Sequence, residues 1–212
     1  MGRPQRVTAG GLVYHVFNRA MKGTILFGKS DDYAALERVL AEGSQQTPIR
    51  LLCYCLMPNH WHLVLWPFSD GDLSAFVQRV TLTHTQRWRA HHGNVGAGHL
   101  YQGRFKSFPV EQDEHFLTLC RYVERNPLRA GLVRRAERWR WSSLWRRIHQ
   151  HGHAKPVLTE WPVQGPRDWV MWVDQPLTVN ELTALRGCAQ RGRPFGSEAW
   201  MQRVSGTPTE GS

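Results

Sequence analysis

Two apolar runs held two residues apart constrain this chain more than any other feature. Ile49 to Met57 reads as one strand and His60 to Trp66 as a second, and Pro58-Asn59 between them is turn chemistry, so the segment predicts a β-hairpin. Side chains alternate faces along a strand, which points His60 and His62 the same way at the turn end. Two imidazoles on one face can chelate a metal ion. The plainer alternative is that His60 and Trp61 merely finish the turn.

A second segment, Asp113 to Asn126, carries the partner chemistry. Asp113 suits a helix N-cap and Glu114 the first turn, while Phe116, Leu117, Leu119, Cys120 and Val123 form an apolar stripe at helical spacing. At 100° per residue His115, Tyr122 and Asn126 share one flank of that stripe. Tyr122 and Asn126, one turn apart, can reach the same point in space.

The residues Met57-Pro58-Asn59-His60-Trp61-His62 and Arg121-Tyr122-Val123-Glu124-Arg125-Asn126-Pro127-Leu128-Arg129-Ala130-Gly131-Leu132-Val133 resemble the HUH single-strand transposases, specifically the REP-associated tyrosine transposases. Tyr14-His15-Val16-Phe17-Asn18-Arg19, Tyr101-Gln102-Gly103-Arg104-Phe105-Lys106 and Arg191-Gly192-Arg193-Pro194-Phe195-Gly196 are similar to that family too, in the family's order. The resemblance implies a metal-dependent single-strand DNA endonuclease and transposase, acting at REP-type palindromic repeats. Tyr122 would be the nucleophile and would form a 5′-phosphotyrosine link, leaving a free 3′-hydroxyl. His60, His62 and Asn126 would hold Mg²⁺ or Mn²⁺, with imidazole favouring Mn²⁺. For Asn126 a competing reading remains, since Asn before Pro127 often ends one helix or caps the next. His115 is read as a helix-start histidine.

Charge points to the same class of partner. Among 212 residues, 27 Lys+Arg against 17 Asp+Glu leave +10 and a pI near 10.1, which suits a polyanion. Arg121 to Arg147 holds nine arginines and two glutamates, and the arginine fork fits phosphate oxygens. The expected DNA contacts are Arg19, Arg104, Lys106, Arg121, Arg125, Arg129, Arg191 and Arg193. Single-stranded DNA and REP-type hairpins are the expected partners, with monomer and homodimer both open. Trp139, Trp141 and Trp145 among those arginines could stack on bases or anchor a core; both readings stay open. No apolar span or signal-like h-region appears, so a cytoplasmic, nucleoid-associated protein without a membrane is expected. Cys53 and Cys55 read as small apolar fillers.

The chain order predicts strand 12–19, helix 31–41 closed before Gly43, hairpin 49–57 and 60–66, helix 72–90, strand 105–110 and the tyrosine helix. That β-α-β-β-α-β order is an α+β, ferredoxin-like split β-α-β plan with an antiparallel sheet. With 41% hydrophobic residues the chain can pack a core. Residues 1–150 are assigned to the catalytic domain and 151–212 to a linker and a small C-terminal helical and extended DNA-recognition appendage. His149 to His153 reads as linker, Thr178 to Glu181 as a capping box, and Ser205 to Ser212 as a disordered tail. Arg191-Gly192-Arg193-Pro194 could enter a minor groove beside a duplex stem, or form a turn clamping the tail to the domain. Two rival functions are a non-catalytic REP-element DNA-binding protein and a rolling-circle-type nickase or relaxase. A pure binder has no need of a histidine pair near a tyrosine, and no helicase-like Gly-Lys-Thr loop is present.

Overall fold

Alternation along the central hairpin gives the sheet two apolar faces, and each face recruits its own helices. In the computed structural model, which describes residues 8–93, 96, 98–149, 156 and 158–206, β1 (Val13–Arg19), α1 (Ser30–Gln46), β2 (Ile49–Met57), β3 (His60–Pro67), α2 (Asp72–His91), β4 (Lys106–Val110) and α3 (Glu114–Glu124) follow in the expected order. The short helices α4 (Asn126–Arg129), α5 (Ser143–His149), α6 (Trp169–Asp174), α7 (Val179–Arg191) and α8 (Glu198–Ser205) come after them. The sheet runs β2-β3-β1-β4 with every neighbouring pair antiparallel. This is the ferredoxin-like arrangement, α+β, that the element order predicts.

Tyr14, Val16, Trp61, Leu63 and Leu65 fall on the face covered by α1 and α2, with Leu36, Leu40, Phe76 and Val80 packed against them. The opposite face carries Val13, Cys53, Cys55, Val64 and Phe108 beneath Phe116, Leu119, Cys120 and Val123 of α3. His62 shares the parity of Val64, so the histidine pair lies on the α3 face. Cys53 and Cys55 are buried fillers, as expected.

Helix α1 corrects one expectation. It does not stop before Gly43 but runs to Gln46, because Gly43 is buried where α1 crosses α2. A Cβ there would lie 3.0 Å from a Phe76 ring carbon, so this glycine permits close helix packing instead of ending a helix. Trp139 and Trp141 are core anchors: Trp139 donates to the Leu56 carbonyl and Trp141 stacks on Tyr33. Trp145 is half-buried, with the Arg140 guanidinium 5.1 Å from its ring. The C-terminal helices share the core of the sheet, since Leu185 of α7 and Phe195 pack with Val13 and Val110. Residues 150–155 and 207–212, and with them most of the expected linker and tail, lie outside the described residues.

Tyr101 ties the block before β4 into the core. Its hydroxyl accepts from Trp61 Nε1 at 3.0 Å and donates to His84 Nδ1 at 2.6 Å, and burial pushes His84 down to about 4, so the ring stays neutral and able to accept. Tyr101→Phe removes the hydroxyl and leaves two buried groups without a partner. It is expected to lower stability by about 1–3 kcal/mol in urea unfolding, with the m-value unchanged.

Candidate active site

The end of the sheet where β3 begins gathers the chemistry. His60 pairs across β1 with Arg19, and His62 with Phe17. The two histidine rings lie 5.1 Å apart and nearly perpendicular. His60 Nδ1 is 2.7 Å from Asn59 Oδ1. An amide oxygen only accepts, so Nδ1 carries the proton and Nε2 keeps its lone pair. His62 Nδ1 lies 2.9 Å from Nε2 of His15 on β1, which leaves His62 Nε2 as the nitrogen not engaged within the sheet.

Tyr122 stands over this pair. On α3, capped by Asp113 as expected, its ring meets His62 edge to face at 5.9 Å and His15 at 6.3 Å. The helix ends at Glu124, and Asn126 opens α4 with Pro127 next in its first turn. Asn126 is buried and turns its amide nitrogen back onto the Tyr122 and Val123 carbonyls, satisfying acceptors that a helix end leaves open. Its oxygen accepts from Arg129 at 2.7 Å, and the Arg129 guanidinium sits 5.2 Å from the Tyr122 ring. Asn126 therefore caps a helix with one end of its amide and offers the other beside Tyr122.

Electrostatics keep the imidazoles neutral. Burial, then the charges of Arg19 and Arg129, push His60 down to about 4. His62 is held well below its usual range, by burial first and then by His60, His15, Arg129 and Arg19. Burial alone takes His15 to about 3. Neutral imidazole is the form that ligates metal.

The expected DNA contacts divide into groups. Arg19, Arg104 and Lys106 are exposed at the same end of the sheet, since Lys106 begins β4 opposite Phe17 and the Gln102 amide donates to the Arg19 carbonyl. Arg129 is exposed beside Tyr122, and Arg125 is half-buried. Arg121 is the correction. It is buried, donates to both oxygens of Glu181 at 2.7 Å and lies 4.2 Å from the Trp172 ring, so it clamps α7 and α6 onto α3 and does not face DNA. Arg146 and Arg147 likewise turn inward, to Tyr54 and Glu37 and to the Leu52 and Thr159 carbonyls. Glu124, buried between Ser143 and Trp169, joins α3 to α5 and α6, and burial raises its pKa.

Arg191 and Arg193 are exposed, but the segment that carries them is docked. Phe195 donates to the Pro109 carbonyl and accepts from the Glu111 amide, both at 2.9 Å, so the chain runs parallel along the outer edge of β4. Gly192, at φ +68°, ends α7 in the left-handed conformation that glycine allows. A Cβ on it would lie 4.0 Å from the Ser107 carbonyl oxygen, which brings Arg191 towards the Lys106 end of the strand.

Sequence reading missed Asn59 and His15 as partners of the histidine pair. Asn59 served only as turn chemistry, and the approach of His15 depends on a strand register that spacing alone does not show. Among the described residues, Glu111, Asp113 and His115 are also close enough to share an ion. Their atoms have structural partners, however: Asp113 bonds the His115 amide and ring, and Glu111 accepts from the Ser197 amide at 2.6 Å. His115 packs on Phe195 and is held at the start of α3 by Asp113.

A family model described as "Transposase IS200 like" matches residues 9–126, more than half of the chain, which takes in β1 to α3 and reaches Asn126. The chain belongs to the IS200-like transposases and is an enzyme of that class. Its fold is similar to a solved REP-associated tyrosine transposase bound to a REP hairpin, with a TM-score of 0.59 and 16% identity over 71% of this chain and 87% of that one. A structure from Deinococcus radiodurans described as a candidate transposase is 16% identical over 62% of this chain and 92% of its own, at a TM-score of 0.41. No curated protein gives a significant match. No helix among the described residues is long and apolar enough to cross a membrane.

The separation of inward from outward arginines can be measured. Arg121→Ala is expected to lower stability by about 1–3 kcal/mol and to leave the salt dependence of DNA binding unchanged. Arg104→Ala should leave stability unchanged and reduce the salt slope by about one released counterion.

Proposed function

We propose that the chain is a REP-associated tyrosine transposase that cuts and rejoins single-stranded DNA at REP-type palindromic repeats through a 5′-phosphotyrosine intermediate. The observation that carries this reading is the Tyr122 ring edge-on to His62, at a sheet end where His60 and His62 each keep Nε2 available. Tyr122 Oη attacks the scissile phosphorus, the P–O3′ bond breaks, and the 3′-oxygen leaves as a hydroxyl. The phosphotyrosine conserves the bond energy, so a free 3′-hydroxyl can reverse the step and rejoin a strand.

The donor set fits a divalent cation. His60 and His62 supply two neutral nitrogens whose orientation is fixed by Asn59 and His15, and Asn126 Oδ1 is the third ligand. Mg²⁺ or Mn²⁺ bound there would neutralise phosphate charge and stabilise the departing oxygen. The Asn126 oxygen accepts from Arg129, whose positive charge would repel an incoming cation, and a DNA phosphate is that guanidinium's natural new partner. Arg19, Arg104 and Lys106 flank the same end and suit the single-stranded backbone.

The C-terminal segment, 151–212, is proposed as the linker and recognition part beside a catalytic unit of 1–150. The solved relative is bound to a REP hairpin. Here the exposed Arg191 and Arg193 extend the basic surface of Arg104 and Lys106 along the sheet edge, a place suited to a duplex stem next to a single-stranded cleavage site.

A single-stranded palindromic repeat incubated with the protein and Mn²⁺ is expected to give a covalent adduct that vanishes in Tyr122→Phe and in excess EDTA, while DNA binding survives the substitution. An adduct persisting in Tyr122→Phe, or mapping to Tyr14 or Tyr101, would reject the assignment. Arg129→Ala frees the Asn126 oxygen and removes a nearby positive charge, so calorimetry should show tighter Mn²⁺ binding by the DNA-free protein, alongside weaker DNA binding. Arg191→Ala/Arg193→Ala should weaken binding to a hairpin by roughly 1–3 kcal/mol at matched salt and leave a linear strand of the same cleavage sequence unaffected; equal loss on both would place these arginines elsewhere.

A further inference from the structure

We propose that His15 is a positioning residue for the metal, acting through His62 by fixing its ring and the nitrogen on which it carries its proton. This rests on the reading of His60 and His62 as metal ligands. His15 lies on β1, facing α3. Its ring stacks on that of His62 at 5.1 Å and 16°, with Nε2 2.9 Å from His62 Nδ1. The ring's other neighbours are Phe17, stacked at 5.0 Å, and the edges of Phe108 and Tyr122. His15 is 2% exposed, and among the described residues its Nδ1 has no hydrogen-bond partner.

With both rings neutral, one proton lies along the 2.9 Å contact, and there are two ways to place it. If His15 Nε2 donates, His62 must carry its own proton on Nε2, and that nitrogen cannot then bind a cation. If His62 Nδ1 donates, His62 Nε2 is bare and ready, and the proton of His15 lies on Nδ1 in its apolar surroundings. Both arrangements hold the His62 ring against His15, and only the second leaves Nε2 bare. Coordination selects the second. A ligating histidine usually donates its second N–H to a carboxylate, a carbonyl or water. Here the acceptor is another histidine, which keeps its own proton on Nδ1.

The test is Mn²⁺ affinity by calorimetry on DNA-free protein, with circular dichroism to confirm folding. His15→Phe fills the space without an acceptor and is expected to bind Mn²⁺ at least about tenfold more weakly. Gln places its amide near the Nε2 position and Asn near Nδ1, so His15→Gln should restore most of the affinity and His15→Asn should not. Long-range ¹⁵N–¹H correlation spectra of the wild type with Zn²⁺ should find His62 and His15 both protonated on Nδ1. Wild-type affinity in His15→Phe, equal rescue by Gln and Asn, or a Zn²⁺ complex with His62 protonated on Nε2 would each overturn the proposal. If His60→Ala binds Mn²⁺ as tightly as wild type, the ligand reading itself fails, and the role of His15 falls with it.

Discussion

The pairing of β1 with β3 holds the site together. Its register sets Arg19 opposite His60 and Phe17 opposite His62, and brings His15 within hydrogen-bonding distance of His62. Because β3 is buried on both faces, register and chemistry cannot be separated: a slip of one residue would turn the histidines under α1 and α2 and bring Trp61 beneath Tyr122. The apolar alternation that drives the sheet to form is therefore the same alternation that aims the imidazoles. The opposite core strengthens this through Trp61, whose indole bonds to Tyr101 and so fixes the strand segment between the two histidines.

Charge gives the site its second character. Arg19 and Arg129 crowd two imidazoles that burial already keeps neutral. Such a place attracts phosphate strongly and a bare cation weakly. On the proposed reading, an ion and a DNA phosphate bound together would relieve that imbalance, since the phosphate would take up the guanidiniums and the ion the nitrogens and the Asn126 oxygen. Substrate and metal would then favour each other's binding, a linkage that follows from Coulomb attraction.

The hairpin, its flanking elements and the helix carrying Tyr122 were legible because each depends on a local period: two for the strands, 3.6 for α3. Burial of charged residues was not legible. Arg121, Arg125 and Arg129 read together as DNA contacts within one arginine cluster, yet Arg121 meets Glu181 from sixty residues away and turns inward. Gly43 shows the same limit: a glycine near the end of an apolar pattern reads as a stop, and only the crossing with Phe76 gives its purpose. Asn126 meets its helix-end reading through its amide nitrogen, and its oxygen, which accepts from Arg129, leaves the ligand reading open.

The most direct measurement of the central claim is anomalous diffraction from crystals of the full chain soaked in Mn²⁺. The expected result is a single strong peak in coordination contact with Nε2 of His60 and His62, with Asn126 Oδ1 turned to it and Arg129 displaced. A peak at Glu111, Asp113 and His115 instead, or none beside the histidine pair at saturating Mn²⁺, would contradict the account.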